Sequence, residues 1–227
     1  MMPLVEIVKG KKTSEAVIEK SIAFVRSIDR LPLPVKSHPG FLVNRCLLPY
    51  LSEALVFFEQ GIPAPAIDRA AVKFGMPMGP VELADTVGLD VCLHVLKNLA
   101  KTFPVTVPEI LFEKVEAGKL GLKTGEGFYT FDPKTRKPLK SEDSVSSMSE
   151  QDIADRLVMR LLNECAACLR EGIVDDADLL DAGMIFGTGF APFRGGPMHY
   201  AKSRGIKEIE MTLAALTKSA GDRYKMD

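Results

Sequence analysis

Residues 44–61 read Asn44-Arg45-Cys46-Leu47-Leu48-Pro49-Tyr50-Leu51-Ser52-Glu53-Ala54-Leu55-Val56-Phe57-Phe58-Glu59-Gln60-Gly61. Apolar residues recur at Leu47, Leu48, Leu51, Ala54, Leu55 and Phe58, the spacing of one helix face. The stretch therefore predicts a helix from Asn44 to Gln60, with Gly61 as its C-terminal stop. The same skeleton returns later in the chain. Arg45, Glu53 and Gly61 stand eight residues apart, and so do Arg156, Glu164 and Gly172. Phe74-Gly75 with Pro80 five residues on is echoed by Phe186-Gly187 with Pro192, after one inserted residue. Amphipathic helices share apolar positions by chance more easily than they share glycine and proline spacing, so this is read as a two-copy repeat. Each copy has one apolar face, and two copies can bury those faces against each other as the halves of a symmetric dimer do. The expected fold is mainly α: two related helical repeats packed as a pseudo-dimer.

Working outward, helices are expected over Ile67 to Phe74, Pro80 to Asp85, Asp90 to Thr102 and Pro108 to Ala117, with a loop from Gly121 to Tyr129. Residues 134–149, rich in Lys, Ser and Pro, are the linker candidate. Upstream, Leu4-Val5-Glu6-Ile7-Val8 reads as a strand closed by Gly10. A helix follows, capped by Thr13 or Ser14, and Leu31-Pro32-Leu33-Pro34-Val35 is extended because its two prolines exclude helix. The first 36 residues are thus β-α-β, too little for an independent sheet. The expected divisions are 1–36, repeat 1 over 37–133, the linker 134–149 and repeat 2 over 150–227.

Lys+Arg number 29 against 30 Asp+Glu, a net charge of −1, so no global field draws the chain to nucleic acid or an anionic membrane. Hydrophobic content is 46% with 26% charged, and no apolar run approaches the about 18 residues of a membrane span. The first residues lack the pattern of a signal peptide. Cys46, Cys92, Cys165 and Cys168 lie in amphipathic patterns and read as reduced core thiols, which fits a cytoplasmic protein.

His38, His94 and His199 have no second His or Cys at ligand spacing, so no metal site is expected. Gly-x-Ser-x-Gly, Gly-x-Gly-x-x-Gly and the P-loop are all missing. Glu6 stands out as a carboxylate inside an apolar strand, sharing a face with Leu4 and Val8. From pattern alone it is read as an exposed strand residue; if buried, it needs a partner such as a protonated His or Lys. Asn44 is either the N-cap of the long helix or a side-chain amide able to donate to a substrate carbonyl. Arg194-Gly195-Gly196-Pro197 is either a turn with a solvated arginine or an approach to a phosphate.

The run Met2-Pro3-Leu4-Val5-Glu6-Ile7-Val8, the stretch Pro39-Gly40-Phe41-Leu42-Val43-Asn44-Arg45 and the loop Gly75-Met76-Pro77-Met78-Gly79-Pro80 with Glu82-Leu83-Ala84-Asp85 resemble L-3-hydroxyacyl-CoA dehydrogenase. The second copy, with Gly187-Thr188-Gly189-Phe190-Ala191-Pro192-Phe193-Arg194-Gly195-Gly196, is similar to the C-terminal end of the multifunctional fatty-acid β-oxidation α-subunit. The resemblance implies that residues 1–36 are the remnant of a Rossmann-type NAD domain. It implies that Glu6 is the glutamate orienting the family's catalytic histidine, and that Asn44 contacts the substrate near its reactive carbonyl. Both are therefore the catalytic candidates. Tyr200 resembles a position that contacts the CoA substrate, and Met78, Gly79 and Pro80 are in the loop expected to line the acyl pocket. The family's histidine, its Gly-rich NAD fingerprint, its acidic ribose-binding residue and its carbonyl-polarising serine all lie upstream of the first residue here. The hydratase/isomerase domain is likewise outside the chain, and His38, on the wrong side for the base, is not assumed to replace it.

The resulting expectation is the C-terminal, substrate-binding portion of an NAD-dependent 3-hydroxyacyl-CoA dehydrogenase, inactive alone. NAD belongs to the intact enzyme, acyl-CoA is the substrate, and the NAD and hydratase domains in cis and a thiolase subunit are the implied partners. The alternative is a non-catalytic helical interaction module docking onto a partner.

Overall fold

The computed structural model describes residues 3–103, 105, 107–140 and 146–227; residues 141–145 of the expected linker lie outside the described residues. Strand β1 (Leu4–Lys9), helix α1 (Glu15–Ser27) and strand β2 (Leu31–Lys36) form a parallel β-α-β unit, with Glu6 opposite Leu33 in the register. Leu31 N–H donates to Pro3 O and Ser37 N–H to Lys9 O, so odd-numbered residues of β2 face β1. Pro32 and Pro34 fall between them, where no donor to the ladder is required. Ile18 and Val25 of α1 pack with Ile7 of β1 to form a small core.

Among the described residues the rest is helical: α2 (Val43–Glu59), α3 (Ala64–Phe74), α4 (Pro80–Val87), α5 (Leu89–Leu99), α6 (Glu109–Glu116), α7 (Glu150–Arg170), α8 (Ala177–Thr188), α9 (Pro197–Arg204) and α10 (Ile206–Ala220). The chain divides into two compact units, one comprising the chain up to Leu47 with Met159–Asp227, the other Leu48–Val158. Helices α2 and α7 each contribute residues to both. In the second unit Leu48 and Leu55 of α2 pack with Ala84, Leu89, Leu93, Leu96, Leu99 and Leu111. The segment 121–140 carries antiparallel bridges Gly121–Glu126, Glu126–Thr130 and Phe131–Pro138. Lys140 closes it onto Glu82 of α4.

The repeat is visible in backbone detail. Pro80 opens α4 and Pro197 opens α9, both helices have eight residues, and each ends on a glycine with a left-handed φ: Gly88 at 105° and Gly205 at 100°. This corrects the alignment read from sequence. The counterpart of Pro80 is Pro197, whereas Pro192 begins a short 3-10 turn, Pro192–Arg194, that the first copy lacks. The counterpart of the stop Gly75 is Gly189, not Gly187. Gly187 lies inside α8, where a side chain would run into Val43 and Leu4; its reason is close packing rather than helix termination.

Candidate functional site

The turn Pro39-Gly40-Phe41 decides where α2 begins. Gly40 and Phe41 both take left-handed conformations, with φ of 79° and 49°, and a Cβ on Gly40 would press on the Arg45 backbone at 3.1 Å. The first N–H groups of a helix have no partner within it. Here two of these early amides point at the strand: Leu42 and Val43 N–H donate to Glu6 Oε1 at 2.8 and 3.3 Å. Glu6 is half-buried, which overturns its reading as an exposed strand residue. Its partner is the positive end of α2, so burial is compensated without a buried cation. Burial pushes the Glu6 carboxyl above its ordinary range, and the two amides pull it back. Oε2 accepts no hydrogen bond from the described residues.

Asn44 is the second residue of α2 and exposed, so it is not the N-cap; Glu6 supplies that service from outside the helix. Glu6 and Asn44 are thereby placed around the same helix start. Beside them, Arg45 is 3% exposed and holds two carboxylates. Its Nε donates to Glu164 at 2.6 Å, and Nη1 and Nη2 donate to Glu171 at 2.6 and 3.0 Å. His38 Nε2 lies 3.7 Å from Glu171. Cys46 Sγ is 3.6 Å from Cys168 Sγ; burial raises the Cys46 thiol, and the contact with Cys46 together with burial raises that of Cys168, so both form part of the core.

Tyr200 belongs to the same unit as Glu6 and Asn44. Its hydroxyl accepts from Arg204 Nη1 at 3.3 Å and its ring lies 5.1 Å from the Arg194 guanidinium. Met78, Gly79 and Pro80 belong to the other unit. Met78 is half-buried, and its Sδ accepts from Thr86 Oγ1 at 3.8 Å. Gly79 is buried against the Asp68 carboxyl, which receives Val81 and Glu82 N–H at 2.9 and 3.2 Å and the Tyr129 hydroxyl at 2.7 Å. Asp181 does the same for α9, accepting Met198 and His199 N–H at 2.7 and 2.9 Å beside Gly196. Asp85 is fully buried and accepts Phe128 and Tyr129 N–H at 2.9 and 2.8 Å, and burial pushes its carboxyl up to about 6.

Asp68, Asp85, Asp181 and the Arg45 carboxylates were not singled out from sequence as candidates. The signal for two of them was present: Asp68 precedes Gly79-Pro80 and Asp181 precedes Gly196-Pro197, an acid ahead of each Gly-Pro helix start. The turn from β1 to α1 holds the single glycine Gly10, whose N–H goes to Thr13 Oγ1, and the phosphate-cradling glycine pattern is missing.

A short parallel β-α-β element followed by two copies of a helical unit defines the class, a mainly helical chain led by one α/β unit. Residues 40–131 match the family described as 3-hydroxyacyl-CoA dehydrogenase, C-terminal domain, and residues 1–38 match its NAD binding domain. The fatty acid oxidation complex subunit alpha of Pseudomonas aeruginosa strain PAO1 is 36% identical over 229 residues, covering 92% of this chain and 32% of the relative. The subunit of the same description from Vibrio campbellii is 36% identical over 231 residues, covering 98% of this chain and 33% of the relative. The crystal structure of 3-hydroxybutyryl-CoA dehydrogenase from Escherichia coli K12 superposes with a TM-score of 0.80 at 25% identity, covering all of this chain (100%) and 66% of that one. The dehydrogenase part of multifunctional enzyme 1 from C. elegans gives 0.67 at 27% identity, covering 100% of this chain and 55% of that one. The chain belongs to the 3-hydroxyacyl-CoA dehydrogenase family. It spans about a third of the length of the curated relatives it matches. Among the described residues no helix is long and apolar enough to cross a membrane.

Proposed function

We propose that this chain is the substrate-holding portion of an NAD-dependent 3-hydroxyacyl-CoA dehydrogenase, with residues 37–133 and 150–227 as its two helical repeats. The observation that carries the reading is the pinning of α2's first amides to Glu6. It fixes the helix start that presents Asn44, and it leaves Glu6 Oε2 as an acceptor. In this reading Asn44 is the catalytic residue of the chain, donating from its side-chain amide to the substrate carbonyl as charge develops there. Glu6 is a positioning residue whose free oxygen receives the N–H of a histidine supplied from outside these 227 residues, holding it as base for the substrate hydroxyl. Met78, Gly79 and Pro80 line the acyl pocket, and Tyr200 contacts the CoA portion.

The isolated chain is inactive in this reading, because a general base contributes about 10²–10⁴-fold and it is not among these residues. The test is calorimetry with acetoacetyl-CoA, then an assay of 3-hydroxybutyryl-CoA oxidation with and without a separately expressed NAD domain. Binding that is lost in Asn44→Ala, with turnover only when the NAD domain is added, supports the proposal. Binding unchanged in Asn44→Ala, or turnover by the chain alone at the rate of an intact dehydrogenase, overturns it. Association with the NAD domain but no turnover supports the docking module instead.

A further inference from the structure

The two edges of the β-α-β sheet differ. On β2 the backbone groups turned away from β1 belong to Pro32 and Pro34, which have no N–H, and to Lys36, whose N–H donates to Ile173 O at 2.8 Å. That edge is closed to a further strand. On β1 the odd-numbered residues serve the ladder, since Pro3 O and Lys9 O accept from β2, so the N–H and C=O of Leu4, Glu6 and Val8 point the other way. No described segment hydrogen-bonds to them. The sheet can therefore grow only from β1.

Helix α1 is polar on one flank and apolar on the other. Its buried face, Ile18 and Val25, rests on Ile7 of β1. Glu15, Glu19 and Ile22 line a cavity walled on its far side by Pro34 and Val35 of β2 and by Ile173, so that flank lies toward β2. The opposite flank carries Val17, Ser21, Phe24 and Ile28, spaced three and four residues apart along one stripe. Val17 is 52%, Phe24 64% and Ile28 48% exposed. This flank lies on the β1 side, so the exposed apolar stripe stands beside the open edge.

An occupant of this surface must bring a strand for the edge and apolar side chains for the stripe, at the spacing between the two. A second copy of the chain brings both. Neighbouring strands lie about 4.8 Å apart, and each α1 stands over its own β1–β2 pair. An antiparallel β1–β1 contact about a two-fold axis therefore sets the two α1 helices roughly 10 Å apart, the distance at which helix side chains interdigitate. The four stripe residues are uncharged, so no like charges meet there. Stripe and edge together bury on the order of 1,000 Å² over both copies, the lower limit for a specific interface, so the association is weak.

We propose that the β1 edge and the Val17, Phe24 and Ile28 stripe form a self-association surface, on which two copies pair β1 with β1 and join their two-stranded sheets into one. Assembly stops at the dimer, because only the closed β2 edges then remain. The Glu6 carboxylate, turned to the α2 amides, takes no part, and the inference does not rest on the substrate reading.

The test is sedimentation equilibrium of the full chain across the micromolar range, where a monomer–dimer equilibrium with a dissociation constant of micromolar order is expected. Phe24→Glu puts a charge in the stripe, and Val8→Pro removes an N–H of the open edge without touching the ladder to β2. Each should weaken the dimer by about tenfold or more. Met211→Glu, at a residue of α10 that is 73% exposed, is the control and should leave it unchanged. Circular dichroism checks that each variant keeps the fold. Deuterium exchange on the unaltered chain adds a readout without substitution: the Leu4, Glu6 and Val8 amides should be protected at high concentration and not at low. A monomer throughout, species larger than a dimer, or a dimer indifferent to both Phe24→Glu and Val8→Pro overturns the proposal. So does a monomer that pairs with a separately expressed NAD domain through the same two positions, which assigns the surface to that partner.

Discussion

Arg45 Nε donates to Glu164 Oε1 at 2.6 Å, and Arg156 Nε donates to Glu53 Oε1 at 3.0 Å. The arginine of each repeat is answered by the glutamate of the other. The two pairs differ in surroundings. Arg45 also has the bidentate Glu171, and Glu164 is 22% exposed, so water reaches that pair. Glu53 and Arg156 are 1% and 8% exposed, with Gln60 at 3.3 Å and the Phe57 ring at 4.1 Å.

Glu53→Gln should therefore be the damaging change. It leaves a guanidinium in the interior without its carboxylate, a loss of about 3–5 kcal/mol. Glu164→Gln leaves Arg45 paired to Glu171 and should cost about 1 kcal/mol. Urea unfolding of the two variants beside the parent chain decides it; equal costs would show that burial does not separate the pairs. Replacing Glu53 and Arg156 together by Leu and Met should recover much of the Glu53→Gln loss, because no orphan charge then remains.

Asp85 makes stability depend on pH in an unusual direction. Its carboxyl is raised from 3.8 to about 6 in the fold, with burial as the main cause and the two backbone amides opposing it. The folded state then holds a proton that the unfolded chain has already released, so this group's contribution is fully present below about pH 4 and falls as pH rises through 6. Between pH 4.5 and 7 the loss amounts to about 2 kcal/mol. Asp85→Asn removes the titrating group, so the stability of the parent relative to the variant should fall by that amount over this interval. A difference that is flat with pH, or that grows toward pH 7, would falsify the shift and leave Asp85 as an ordinary ionised acceptor.

The helices and the repeat were legible because they rest on periodicity and on glycine and proline punctuation, which are local. Helix α2 was read within one residue at each end, and the β-α-β element was read correctly from its two short apolar runs. The match of Pro80 to Pro192 went wrong because spacing alone cannot show a three-residue 3-10 insertion; the true landmark is the acid that caps each Gly-Pro start. Glu6 misled for a related reason. A carboxylate in a strand reads as solvated unless one knows that a helix beginning 37 residues later turns its amides toward it. Asp85 carried no signal, since its partners, the amides of Phe128 and Tyr129, are set by the loop's path and not by residue type.

Gly79 was expected in the acyl pocket, yet its surroundings assign it a second duty that stability measurements can separate from binding. A methyl group there would overlap the Asp68 carboxyl, which is held by Val81 N–H, Glu82 N–H and the Tyr129 hydroxyl. Gly79→Ala must displace Asp68 and weaken those bonds, and should cost about 2–4 kcal/mol. Gly61 is the control. Its φ is 80°, but nothing lies within 4 Å of a Cβ placed there, so Gly61→Ala should cost only the backbone strain, about 1 kcal/mol. Gly196→Ala, against Asp181 in the second copy, should cost more than Gly79→Ala, because the same kind of cap would be displaced and its φ of 104° adds backbone strain that Gly79, at −70°, does not have. If Gly79→Ala instead weakened acetoacetyl-CoA binding while leaving the urea midpoint unchanged, Gly79 would be a pocket residue alone and the cradle for Asp68 would be dispensable.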